Sequence, residues 1–122
     1  TGAVLAALGH IATGIMGTDD DLINEVKKSS KSTGEKVWEL PLWPEFCKQV
    51  ESNIADVKNT GAAGQAGTIA GAAFLKEFVG NEIPWVHFDI AGTAWGVKPD
   101  SINPRNSATG WGVRLVLHML KV

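Results

Sequence analysis

His87 and Asp89 stand two residues apart in Trp85-Val-His-Phe-Asp-Ile-Ala-Gly-Thr-Ala-Trp95. Alternate side chains of a strand share a face, so the pair offers two metal ligands side by side. A zinc or hard-cation site needs three or more ligands, and no clear third stands at a recognisable spacing. Structural, hydrogen-bonded roles are therefore favoured for both. The residues that follow suggest binding rather than bond-making. Trp85, Val86, Phe88 and Ile90 have the bulk of a buried strand, and Ala91-Gly92-Thr93-Ala94 then removes side-chain volume where the backbone must approach something closely.

Other reactive types are isolated. Cys47 has Lys48 beside it but no His or Asn at the spacing a thiol nucleophile would use. His10 and His118 stand alone and read as structural. Gly61-Ala-Ala-Gly-Gln-Ala-Gly67 leads into a helix, whose amides attract anions. It has no Gly-Lys-Ser/Thr ending and no dinucleotide fingerprint after a strand, so it reads as a turned loop bordering a pocket. Tryptophans at 38, 43, 85, 95 and 111 lack basic neighbours and suit core or interface anchoring better than base stacking.

The chemistry has to be positioned by one domain or part of one, since the chain has 122 residues. Apolar residues make up 44% and charged residues 20%, an ordinary globular balance. A net charge of −2 without a basic run argues against nucleic acid and anionic membranes as partners. No apolar run approaches the ~20 residues of a membrane span. A single cysteine excludes an internal disulfide and fits a cytoplasmic setting. Thr1-Gly-Ala-Val-Leu-Ala-Ala-Leu-Gly9 is apolar with no charged segment before it, a poor signal peptide. A start without Met, inside an apolar segment, suggests a fragment or a processed chain.

Helices and strands alternate. The pattern predicts a short helix over Gly2–Leu8 ended by Gly9, and a strand over Ile11–Met16. It predicts a helix from Thr18 or Asp19 to Gly34, with carboxylates at its start and lysines near its end. A strand follows over Val37–Leu42, stopped at Pro41, and then a helix over Pro44–Val50 with Pro in its first turn. A loop spans Asn59–Gly67, and a buried helix runs from Thr68 through Val79 to Gly80. The Trp85–Ala91 strand, an exposed loop over Gly96–Ser107 and a last helix capped by Thr109 complete the chain. This order predicts an α/β fold, part of a three-layer α/β/α domain with a mixed, largely parallel sheet. Three strands leave edges and apolar faces open, so the isolated chain is expected to be poorly soluble, oligomeric or molten.

Seven segments, in order, resemble the leucyl aminopeptidase (cytosol aminopeptidase) family. They are Thr1-Gly-Ala3, Ala7-Leu-Gly-His-Ile-Ala-Thr-Gly14, Gly34-Glu-Lys-Val-Trp-Glu-Leu-Pro-Leu42, Ala55-Asp-Val-Lys-Asn-Thr-Gly61, Phe74-Leu-Lys-Glu-Phe78, His87-Phe-Asp-Ile-Ala-Gly-Thr-Ala-Trp95, and Ala108-Thr-Gly110 leading into Gly112-Val-Arg-Leu115. Any one of them is weak, but seven in register are specific. The resemblance implies that residues 1–122 are the C-terminal portion of the catalytic domain of a two-metal exopeptidase. Such an enzyme removes leucine and similar apolar residues from the N-termini of peptides. It uses two divalent metal ions (manganese or zinc, with magnesium also used in the family) and a bicarbonate acting as general base.

The family's Asn-Thr-Asp-Ala-Glu-Gly-Arg motif and its metal-binding carboxylates and lysines are not in this sequence. The resemblance therefore implies no catalytic residue and no metal ligand here, and an inactive chain when alone. It implies substrate-binding roles for Gly2, Thr60, Ala91 and Ala94, which match positions around the substrate's N-terminal side chain. A family member with a larger residue at the position of Ala94 would have a tighter pocket. The implied partners are peptide substrate, the upstream part of the same protein and further copies in a homo-hexamer, with neither nucleic acid nor membrane. The rival expectation is a non-catalytic binding or structural chain that completes a nicked or degenerate aminopeptidase.

Overall fold

In the computed structural model, residues 1–96 and 106–121 are described. A three-stranded mixed sheet, in the order β2-β1-β3, forms the middle layer. Its strands are β1 (Thr13–Gly17), β2 (Val37–Glu39) and β3 (Val86–Asp89). β1 runs parallel to β2, with Gly14 opposite Trp38, and antiparallel to β3, with Gly14 opposite Asp89 and Met16 opposite His87. The period of two along β1 sends Ile15 to one face and Met16 to the other.

Each face has its own core. Ile15 packs with Ile23 and Val26 of α2 (Asp20–Thr33) and Leu115 of α5 (Val113–Met119), with Val86, Phe88 and Trp111 around them. Met16 packs with Ile69 and Ala72 of α4 (Gly67–Lys76) and with Phe46 of α3 (Pro44–Cys47). The short α1 (Val4–Leu8) joins this second face, because Gly14 has no side chain and a Cβ there would meet Val4 at 3.2 Å and Leu8 at 3.6 Å. Helices thus cover both sides of the sheet.

The sequence signals for α2 act at both of its ends. The Asp19 carboxylate accepts from the Leu22 amide at 2.7 Å, Asp20 and Asp21 occupy the first turn, and Gly34 closes the helix in the left-handed region.

Other boundaries moved, each for a local reason. β1 starts at Thr13 rather than Ile11, since the Ile11 amide is still bonded to the Leu8 carbonyl in the turn after α1. β2 ends at Glu39, ahead of Pro41, which has no amide to donate. The Pro44 helix is only one turn and passes into a 3-10 turn over Lys48–Val50. α4 stops at Lys76, and the chain reaches Gly80 through single-turn bonds.

α5 begins after Gly112, not at Thr109. Most of the loop expected over Gly96–Ser107 lies outside the described residues. Its two ends, β4 (Trp95–Gly96) and β5 (Ser107–Ala108), pair antiparallel.

Candidate functional site

The C-terminal end of β3 meets the start of the chain and the first turns of α4. Asp89, 1% exposed, accepts from the Thr1 hydroxyl at 2.9 Å and from the Ala91 amide at 3.4 Å, and pairs with the Thr1 amino group. Thr68 brings its hydroxyl to 3.5 Å from that of Thr1. Two α4 glycines admit this segment: a Cβ on Gly67 would stand 2.9 Å from that of Ala3, and one on Gly71 3.1 Å from the Thr1 methyl. Thr1–Ala3 is therefore held between α4 and the end of β3.

Beyond Asp89 the chain turns tightly, with the amides of Thr93 and Ala94 both donating to the Ile90 carbonyl. Three elements fix this turn from outside. A ring nitrogen of His10 bonds the Gly92 carbonyl at 2.7 Å, just beyond α1. The hydroxyls of Thr13 and Thr93 bond at 2.6 Å across the buried end of β1. Thr109 donates its hydroxyl to the Thr93 carbonyl at 2.6 Å and its amide to the Ala94 carbonyl at 3.0 Å. Gly92 is required by space: a Cβ there would overlap the Gly9 carbonyl oxygen. The result is a rigid backbone that carries small side chains.

Of the four substrate-binding candidates, Gly2 follows Thr1, whose hydroxyl bonds Asp89, and Ala91 bonds Asp89 through its amide; both are exposed, and Ala94 follows on the same turn, half-buried. Thr60 is exposed on the loop before α4, where its neighbour Gly61 packs against Gln49 and Ala70. Among the described residues no hydrogen bond joins Thr60 to the Asp89 cluster.

His87 and Asp89 do share a face, as their spacing required, yet they do not form a metal site. Among the described residues no group of three or more His, Cys, Asp or Glu side chains could hold a metal ion. The donor set of a two-metal centre is thus not met by these residues. His10 and His118 have structural partners, His118 bonding the Ser29 hydroxyl at 3.0 Å. Cys47 is a half-buried free thiol in α3. The glycine-rich loop enters α4 through Ala66, with no side chain capping the helix.

His87 is neutral near pH 7. Burial holds its pKa below the ordinary 6.5, and the Asp89 charge opposes this. Among the described residues its buried Nε2 has no hydrogen-bond partner. The unfolded chain takes up this proton near pH 6.5 and the folded chain only at lower pH. The stability due to the neutral ring is therefore full above 6.5 and is lost as pH falls from there toward the folded value. Urea midpoints should drop between pH 7.5 and pH 5.5, and His87→Gln should flatten that drop. Parallel losses in the two chains would remove His87 as the source.

One buried charge had no signal in the sequence. Glu35, 5% exposed, accepts from the amides of Gly112 at 3.0 Å and Leu115 at 2.7 Å, so a carboxylate 77 residues away caps α5.

Residues 1–117 match the cytosol aminopeptidase family, catalytic domain. Curated relatives named "Probable cytosol aminopeptidase" are similar over 121 residues, 99% of this chain: 50% identical in a Geobacter species, 48% in Geobacter sulfurreducens and 45% in Prochlorococcus marinus. The chain spans 24% of the length of each. The fold is similar to that of a lysine-to-glutamate variant of tomato leucine aminopeptidase, with a TM-score of 0.86 and 38% identity. That likeness covers 98% of this chain and 22% of the tomato chain. No helix among the described residues is long and apolar enough to cross a membrane.

Proposed function

Because this chain belongs to the cytosol aminopeptidase family and forms part of its catalytic domain, we propose that the complete protein is a metal-dependent leucyl aminopeptidase and that residues 1–122 are the C-terminal portion of that domain, supplying the walls of its substrate pocket. Gly2, Ala91, Ala94 and Thr60 line the space for the substrate's N-terminal side chain. Two divalent ions, manganese or zinc, and a bicarbonate belong to the same reading. Their ligands come from outside this chain, whose described residues offer no cluster for them. The complete enzyme acts on peptides in the cytoplasm and assembles as a homo-hexamer.

The observation that carries the pocket-wall role is the turn after β3. His10, just after α1, and Thr109 bond its backbone, Thr13 of β1 bonds the Thr93 hydroxyl, and Ala91 and Ala94 carry only methyl side chains. Rigid backbone with small side chains suits recognition of an aliphatic group by burial, where a side chain contributes about 1–3 kcal/mol.

Ala94→Phe in the full-length enzyme tests this. Filling the pocket should lower kcat/KM for leucyl substrates about 10- to 100-fold more than for alanyl substrates. An equal fall on both would mean that Ala94 does not face the substrate side chain.

A further inference from the structure

We propose that Asp89 is a positioning residue for substrate selectivity, acting by tying the Thr1–Gly2 segment to the Ala91 turn. The inference rests on the pocket-wall reading above and adds to it the group that holds two of the walls at a fixed separation.

Gly2 and Ala91 come from segments 89 residues apart, and neither has a polar side chain with which to hold the other. Asp89 has. One carboxylate oxygen accepts the Thr1 hydroxyl at 2.9 Å, and the other accepts the Ala91 amide at 3.4 Å. The carboxylate is almost fully buried, where a charge persists only if its oxygens are well bonded. A carboxylate can only accept, and both of these partners donate, so the arrangement has one polarity. Thr68 on α4 supports Thr1 from the other side at 3.5 Å. The Gly67 and Gly71 approaches set Thr1–Ala3 against α4, so the Asp89 bonds are what join that segment to the Ala91 turn. Weakening the tie should let the two walls separate, which harms a substrate that fills the pocket more than one that does not.

The test uses the full-length enzyme carrying this segment, with leucyl and alanyl substrates. Asp89→Asn keeps the shape but turns an amide toward a donor, and Thr1→Val keeps the shape but removes the hydroxyl. Each should lower the leucyl-to-alanyl ratio of kcat/KM about fivefold or more, mainly through a higher KM for the leucyl substrate. Thr1→Ser, which retains the hydroxyl, should keep the ratio within about twofold.

Because both changes break one tie, the double variant should fall no further than the more severe single one. Should Asp89→Asn fail to fold, Thr1→Val against Thr1→Ser decides the matter alone. An unchanged ratio in folded variants overturns the tie, as does a double variant whose losses multiply. If Ala94→Phe shifts the ratio while Thr1→Val does not, the pocket stands and only the tie falls. A wild-type enzyme without aminopeptidase activity overturns the reading of the reaction itself.

Discussion

Gly92→Ala should destabilise the protein by about 3 kcal/mol, the upper end of what an overpacked interior site costs. The added methyl would overlap the Gly9 carbonyl oxygen and stand 3.3 Å from a Leu5 methyl. The obstacle is backbone, so it cannot be relieved by rotating a side chain. Either α1 or the turn must move. Moving the turn strains the bonds His10 makes to the Gly92 carbonyl and Thr13 makes to Thr93, each worth about 1 kcal/mol. Denaturant midpoints compared with Gly2→Ala, whose new Cβ meets nothing within 4 Å, give the measurement. The control should stay within about 0.5 kcal/mol of wild type. If Gly92→Ala does too, the close approach of α1 to the turn is not a constraint.

Glu35→Ala should cost about 2–3 kcal/mol, more than an ordinary exposed cap, because two amides lose a buried, charged acceptor together. Glu35 follows directly on the Gly34 turn that ends α2, so its carboxylate links the termini of two helices. Arg114 adds only a long contact at 3.8 Å from an exposed side chain. Glu35→Gln keeps one acceptor oxygen and should fall between wild type and Glu35→Ala. Hydrogen exchange locates the effect: the amides of Gly112 and Leu115 should lose protection before those of β1 do. Uniform loss across the chain, or no loss, would show that Glu35 does not hold α5.

What was legible in the residues was local. Asp19, Asp20 and Gly34 mark α2 because capping and dipole effects act within one turn. Pro41 marks the end of β2 because a missing amide is a property of that residue alone. Small residues at Ala91–Ala94 after an apolar strand are likewise visible in one dimension, and so was the family, since seven matching segments need no coordinates. The shared face of His87 and Asp89 follows from strand geometry.

The partners of those residues were not legible, because they are brought in by the sheet. β1 pairs antiparallel with β3 across some seventy residues, and that register places Asp89 opposite Gly14 and within reach of Thr1. No spacing rule connects Glu35 to the amides of Gly112 and Leu115, or Thr13 to Thr93, so sequence alone points to Thr109, the nearest hydroxyl, as the cap of α5. Gly92 looked like one small residue among several; only the path of Gly9 makes it the one that cannot accept a methyl. The sequence by itself determined which residues can cap, bend, fill or leave space, because those are properties of single side chains and their nearest neighbours. Tertiary structure decided which of them meet, because a buried carboxylate or carbonyl is satisfied by whichever donor the packed layers carry to it.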